Sequence, residues 1–150
     1  MKNVDQFKID HFERENGRGT FPPFRRVNEE ECRKLRTELA SLLGLDSNAE
    51  PITLLRLLNQ MAEPIEGVDA DDNKFDLGLL FESLKLEAQN VVLLNWHRFN
   101  RIDEMRAPDL CKHFSNIWYP SSEDLDVIEP KMRWVLRIAH HGAVSVVRLQ

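Results

Sequence analysis

Apolar residues recur every three or four positions across residues 28–88, which is the spacing of an α-helix. Asn28 is a favourable N-cap residue, and Glu31 stands at the capping-box position three residues later. Together with Gly44, a residue type at which helices often end, this cap predicts a helix over residues 29–43. The apolar face of the predicted helix consists of Cys32, Leu35, Leu39, Leu42 and Leu43.

Two more helices are predicted in the same half of the chain. Pro51 is tolerated in the first turn of a helix, so a second helix is expected from there to about Ala62, before Pro64 and Gly67. Asn73 is expected to cap a third helix. The apolar face of this third helix consists of Leu77, Leu80, Phe81 and Leu84.

The hydrophobic pattern changes in the second half of the chain. Residues 91–96 form a short apolar run, too short for a helix, which predicts an inner strand. Pro108 opens a short fourth helix, and residues 125–128 predict another strand that ends before Pro130. In residues 133–138, Trp134, Leu136 and Ile138 alternate with Arg133, Val135 and Arg137, which is the period of a half-buried strand.

The chain is expected to close with a β-hairpin. His141 and Gly142 are predicted to form a two-residue turn that leads from the alternating segment into a last strand over residues 143–149.

Helices that precede strands joined by hairpin-type connections indicate an α+β fold. We expect an antiparallel sheet of three to five strands with about four helices packed mainly on one face. The prediction is a single domain, 1–150, with a helical half over 28–88 and a mainly β half over 89–150. Residues 1–27 show no clear period and are expected to form an extended arm with one short edge strand. This arm carries Phe7, Phe12, Phe21, Phe24 and the pair Pro22-Pro23.

The composition narrows the functional classes. Apolar residues make up 42% of the 150 residues, but no apolar run approaches the ~20 residues that span a bilayer. The polar N-terminus does not resemble a signal peptide, so a cytoplasmic protein that does not bind membranes is expected. A net charge of -5 argues against binding to nucleic acid, which requires a basic surface. Cys32 and Cys111 have no metal-binding spacing and are expected to be free thiols.

Two groups of residues raise the question of a metal ion or a catalytic base. Residues 69–73 offer carboxylates at the spacing of a calcium loop, but Lys74 and Leu80 stand where glycine and glutamate are required. The sequence therefore predicts an acidic loop before the third helix, with neither a metal nor a cofactor. His97, His113 and His140 could serve a small hydrolase together with carboxylates near Asp124, but only if the fold brings them together.

Residues 118–129, named here the acidic–aromatic segment, are the most unusual stretch. They contain no lysine or arginine. Aromatic residues beside carboxylates are typical of surfaces that bind a basic partner. Two alternatives remain open: paired carboxylates also serve acid–base catalysis, and the segment could be a solvated loop without a functional role. The candidate partner-binding residues are Trp118, Tyr119, Glu123, Asp124, Asp126 and Glu129.

The second half of the chain also resembles a group of small bacterial proteins. The shared features are a strand that ends in Trp96, the sequence Trp118-Tyr119-Pro120 before acidic residues, and a closing W-x-L-x-I-x-H-x-G pattern over 134–142. Such proteins often behave like immunity proteins of contact-dependent or polymorphic toxin systems. The resemblance implies a small α+β binding protein without a catalytic motif, and it implies no individual residue role.

The leading hypothesis is a non-enzymatic protein that binds and blocks a toxin, since an acidic inhibitor associates rapidly with a basic toxin domain. The first alternative is a structural or regulatory subunit that covers its apolar surface with a second copy, as in a homodimer. The second alternative is the small histidine- and carboxylate-dependent hydrolase.

Overall fold

The computed structural model describes residues 4–88 and 90–150, which adopt an α+β fold. Residues 1–3 of the predicted arm, Gln89 and the side chain of His97 lie outside the described part. The helices are α1 (Gln6–Asn16), α2 (Glu29–Leu42), α3 (Pro51–Met61), α4 (Leu77–Leu84), α5 (Ala107–Lys112) and α6 (Phe114–Ile117). The strands are β1 (Phe24–Arg26), β2 (Glu63–Asp69), β3 (Val91–His97), β4 (Arg101–Arg106), β5 (Leu125–Ile128), β6 (Trp134–Ile138) and β7 (Ala143–Arg148).

The described strands form one open antiparallel sheet in the order β1-β4-β3-β5-β6-β7-β2. Successive side chains of a strand point to opposite faces. Val92 and Leu94 of β3 therefore pack in a core with α4, α5 and α6, whereas Leu93 packs in a second core with α2 and α3. Helices thus cover both faces of the sheet, whereas the hydrophobic pattern predicted them mainly on one face.

Several predicted elements are confirmed. The Asn28 side chain accepts a hydrogen bond from the Glu31 backbone N–H (2.8 Å) at the start of α2, and α3 begins at Pro51. The strand predicted over 91–96 is β3, which lies inside the sheet between β4 and β5. The third predicted helix is α4, but its cap is Asp76 rather than Asn73, since the Asp76 carboxylate accepts from the Leu79 N–H (3.1 Å).

The described residues contain more elements than predicted: seven strands instead of three to five, and six helices instead of four. The extended arm predicted over 1–27 is wrong where α1 forms, although β1 is the edge strand expected there. The amphipathic signal of α1 is weak because only Lys8 and Phe12 of this helix are buried. The strand β2 was missed since it contains Pro64, and β4 since four of its six residues are charged.

The closing hairpin forms, but its turn is one residue longer than predicted. Ala139 N–H donates to the Ala143 carbonyl (2.9 Å), so three residues, 140–142, connect the paired strands β6 and β7. Gly142 N–H donates to the Ala139 carbonyl (2.8 Å), and Gly142 has φ = 101°. This is the three-residue loop in which a turn is followed by a glycine with positive φ. Among the described helices, none has both the length and the apolar character needed to cross a bilayer.

Candidate functional site

The acidic–aromatic segment turns most of its predicted binding residues into the protein. Trp118 is 2% exposed and Glu123 is 6% exposed. The Trp118 indole N–H donates to the Glu123 carbonyl (2.9 Å), and the Glu123 carboxylate accepts from the Tyr119 backbone N–H (3.1 Å). These two side chains therefore hold the segment together from within.

Glu123 forms a buried ion pair with Lys8, a residue that no sequence motif marks as functional. The Lys8 Nζ lies 2.6 Å and 2.9 Å from the two Glu123 carboxylate oxygens and donates to the Ile117 carbonyl (2.8 Å). It also lies 4.3 Å from the centre of the Trp96 ring. Burial lowers the pKa of Lys8, while the hydrogen bond and charge of Glu123 oppose that change. The pair fastens α1 to the acidic–aromatic segment.

Asp126 and Glu129 are buried as well, and each has an arginine partner. The Arg137 Nε donates to Asp126 (2.9 Å), and the Arg133 Nε donates to Glu129 (3.0 Å). Burial raises the pKa of Asp126, and the charge of Arg137 only partly offsets this. Burial also acts to raise the pKa of Glu129, but hydrogen bonds from Arg133 and the backbone outweigh it, so that pKa is lowered.

Tyr119 and Asp124 are the predicted binding residues that reach the solvent. The Tyr119 ring packs edge to face against Phe7, with 5.7 Å between ring centres, and Phe7 is 49% exposed. Asp124 accepts from the His140 backbone N–H (2.7 Å) and lies 2.9 Å from the His140 Nδ1. Of the six predicted residues, these two remain accessible to a partner without rearrangement.

A second acidic stretch, which we name the acidic edge, comprises residues 63–76 and faces outward. It consists of β2, which is the edge strand next to β7, and the loop that leads to α4. Its six carboxylates belong to exposed residues: Glu63, Glu66, Asp69, Asp71, Asp72 and Asp76. Lys74 is the only basic residue in this stretch, so its net charge equals the -5 of the whole chain.

The acidic edge and the acidic–aromatic segment meet at one cleft. A depression of about 660 Å³ is lined by Asp71, Asp72 and Asp76 on one side and by Trp118 and Pro120 on the other. The acidic edge was not among the predicted binding residues. A count of charge along the chain would have identified it, because the other residues together carry no net charge.

Cys111 also lines this cleft. Burial and the nearby charge of Asp76 raise the pKa of Cys111 to about 11. Since the thiolate is the nucleophilic form, this thiol is poorly reactive at neutral pH.

The acidic loop and the histidines do not assemble a metal site in the part of the chain that the structure describes, where no group of three metal-ligating side chains occurs. In the loop, Asp69 accepts from the Asp71 N–H (2.9 Å) and Asp72 accepts from the Lys74 N–H (2.9 Å). The carboxylates thus shape the turn. His113 packs against Phe12 in α1, with 5.2 Å between ring centres.

No protein-family model matches the chain, and neither a curated protein nor a solved structure was found to match it.

Proposed function

We propose that this chain is a non-enzymatic cytoplasmic protein that binds a basic partner protein, as an immunity-type inhibitor of a toxin domain. The observation that supports this proposal most is the exposed acidic edge, because its 14 residues carry a net charge of -5 with all six acidic residues exposed. Complementary charge accelerates the association of two proteins and suppresses incorrect partners. The resemblance of the second half to immunity-like bacterial proteins favours the same function.

The partner is expected to contact the side chains of the acidic edge rather than add a strand to the sheet. An exposed edge strand offers unpaired backbone groups to any extended chain. In β2, however, Pro64 has no backbone N–H to donate, and the pairing with β7 shifts its register between Pro64 and Asp69. Recognition by charged side chains, steered by the acidic edge, fits this geometry better.

The acidic–aromatic segment contributes to the proposed surface in two ways. Tyr119 and Asp124 are accessible and extend the binding surface beyond the cleft. Trp118, Glu123, Asp126 and Glu129 are proposed to act from within, because their internal contacts fix the backbone that presents the two accessible residues. Of the six predicted partner-binding residues, two are therefore proposed to contact the partner and four to support the backbone behind them.

The proposal is tested by capturing partners from the native host with three versions of the tagged protein. One is wild type, one carries Asp71→Lys and Asp72→Lys, and the control carries Glu29→Lys and Glu30→Lys. The control changes the charge equally at exposed positions of α2. We expect a basic protein that is retained by wild type and by the control but lost with the reversed acidic edge.

Two outcomes would contradict the proposal. One is a set of retained proteins that does not differ between wild type and the variant with Asp71 and Asp72 reversed. The other is the absence of any specifically retained protein. If the wild type itself elutes as a stable dimer in sizing chromatography and retains no other protein, the homo-oligomeric alternative is favoured.

A small hydrolase is the second candidate function, and the contact between His140 and Asp124 favours it. A carboxylate that holds one imidazole nitrogen leaves the other nitrogen available as a general base. His140 and Asp124 are both exposed, and the same contact also fastens the closing hairpin to the acidic–aromatic segment. Hydrolysis of ester or phosphoester test substrates that is abolished by His140→Gln would support this alternative over the binding proposal.

A further inference from the structure

One row of residues across the sheet is polar where its neighbours are apolar. The strand register places Asn95, Asp126, Arg137 and Ser145 side by side on β3, β5, β6 and β7. These residues share the face that α2 and α3 cover, since Leu93, Ile128 and Val135, two positions away along their strands, belong to that core. A polar row in a helix-covered face requires internal partners or a ligand.

The internal hydrogen bonds of the row use its carboxylate but not the whole of its arginine. The Asn95 side-chain amide donates to one Asp126 oxygen (3.3 Å), and the Arg137 Nε donates to the other (2.9 Å). This contact fixes the Arg137 side chain, which is 19% exposed, and leaves its two terminal amino groups without a partner in the described part of the chain.

A pocket of about 420 Å³ opens above this row, and three arginines line it. Arg137 comes from β6, Arg56 from α3 and Arg98 from the turn between β3 and β4. Within residues 4–88 and 90–150, the side chains of Arg56 and Arg98 form no ion pair and no hydrogen bond. The two carboxylates of the pocket are already engaged, Asp126 by Arg137 and Asp124 by His140.

The backbone that presents Arg98 is strained. Arg98 has φ = 47° and the next residue, Phe99, has φ = 62°, a region that residues other than glycine seldom adopt. The Asn95 side-chain oxygen accepts from the Phe99 N–H (3.0 Å), Arg36 donates to the Phe99 carbonyl (2.9 Å), and the Phe99 ring is buried. Strain that the surrounding structure holds in place is concentrated at binding sites. Here, the strained turn carries Arg98, which lines the pocket beside the polar row.

From this convergence we infer that the pocket binds a phosphate monoester through the guanidinium groups of Arg56, Arg98 and Arg137. Guanidinium groups match the oxygens of phosphate in geometry and charge, and three of them suit its three terminal oxygens. Ile52 and Leu55 line the same pocket and offer an apolar wall to the organic part of the ester. The pocket shares Asp124 with the proposed partner surface but contains no residue of the acidic edge, so this inference goes beyond the proposed function and does not depend on it.

Calorimetric titration of the full chain with phenyl phosphate, and separately with inorganic phosphate, tests the site at constant ionic strength set with chloride. Wild type is expected to bind phenyl phosphate saturably and more tightly than inorganic phosphate, because the ring contacts the apolar wall. Equal affinity for the two probes would identify inorganic phosphate, rather than an ester, as the ligand and would overturn the ester assignment.

Matched variants link the binding to the arginines. Arg56→Gln and Arg98→Asn remove charge at exposed positions, and asparagine tolerates the positive φ at position 98. The double variant is expected to weaken phenyl phosphate binding by about tenfold or more, since charge-assisted contacts contribute strongly. The control Arg14→Gln with Arg18→Gln removes the same two positive charges at exposed residues outside the pocket and should leave affinity within about twofold, as expected for distant surface charges.

Nuclear magnetic resonance reports where the ligand binds. In NMR spectra, the side-chain amide resonances of Asn95, which lines the pocket and donates to Asp126, should shift during the titration and saturate with the calorimetric curve. The indole N–H resonances of the buried Trp118 and Trp134 should not shift. The inference is overturned if wild type shows no saturable binding, if the double variant binds as wild type does, or if the Trp118 indole resonance shifts while the Asn95 amide resonances do not.

Discussion

The acidic edge and the acidic–aromatic segment have similar compositions but opposite orientations. Both are rich in carboxylates, yet those of the acidic edge belong to exposed residues, whereas Glu123, Asp126 and Glu129 are buried. The difference follows from their places in the sheet, since β2 is an edge strand and β5 lies at the centre. A segment's charge is a property of its composition, but its exposure depends on its neighbours in the fold.

The buried pair of Lys8 and Glu123 provides the strongest test of the difference between the two segments, because only the acidic–aromatic segment is expected to depend on an internal ion pair. Lys8→Met leaves the Glu123 carboxylate buried without its cation, and removal of one partner of a buried pair costs about 3–5 kcal/mol. We expect a loss of this size in the free energy of unfolding measured with urea.

Lys34→Met, at an exposed position of α2, is the control and should change stability by less than about 0.5 kcal/mol. If Lys8→Met had as small an effect, the acidic–aromatic segment would not depend on this internal cation, and the contrast with the acidic edge would fail.

Gly142 joins the closing hairpin to the acidic edge. The Ala70 N–H donates to the Gly142 carbonyl (2.8 Å), and a Cβ at Gly142 would collide with the Asp69 carboxylate. With φ = 101° as well, Gly142→Ala is expected to cost about 1–3 kcal/mol of unfolding free energy in thermal or urea denaturation.

Gly44→Ala is the control that measures backbone strain without a steric collision. Gly44 also has positive φ (74°) but has open space where a Cβ would lie. It should cost about 1–2 kcal/mol, the usual penalty of the left-handed region, and less than Gly142→Ala. Equal losses of unfolding free energy at the two glycines would show that the contact between Asp69 and position 142 does not add to the backbone strain.

Charge reversal of the exposed carboxylates in the acidic edge should have the smallest effect on stability. Reversal of Asp71 and Asp72 to lysine changes exposed charges, which contribute about 0–1 kcal/mol each in favourable pairs, and removes the exposed hydrogen bond from the Lys74 N–H to Asp72, which contributes about 1 kcal/mol. We expect thermal unfolding of this double variant to stay close to that of wild type. A loss comparable to that of Lys8→Met would mean that the acidic edge is held by internal contacts, as the acidic–aromatic segment is.

Much of the fold could be predicted from the sequence wherever local patterns and burial agree. Asn28 and Pro51 mark helix starts, and the run over 91–96 is apolar on both faces because both faces of β3 are covered. The missed elements are those for which tertiary contacts supply the stability. The strand β4 is mostly charged, yet it pairs along its whole length with β3.

The candidate site was less predictable for the same reason. That Glu123 points inward depends on Lys8, which is 115 residues away in the sequence. The grouping of Arg56, Arg98 and Arg137 depends on the register of the sheet and on the strained turn at Phe99. The acidic edge alone could have been found from charge, and it is the surface on which the proposed function rests.

The rate of association with the captured partner tests that function most directly. We predict that reversal of Asp71 and Asp72 to lysine slows association by about tenfold or more at low salt and by much less at high salt, because screening weakens steering. The control with Glu29→Lys and Glu30→Lys should associate at nearly the wild-type rate. Equal association rates for wild type and the reversed acidic edge at both salt concentrations would contradict the account.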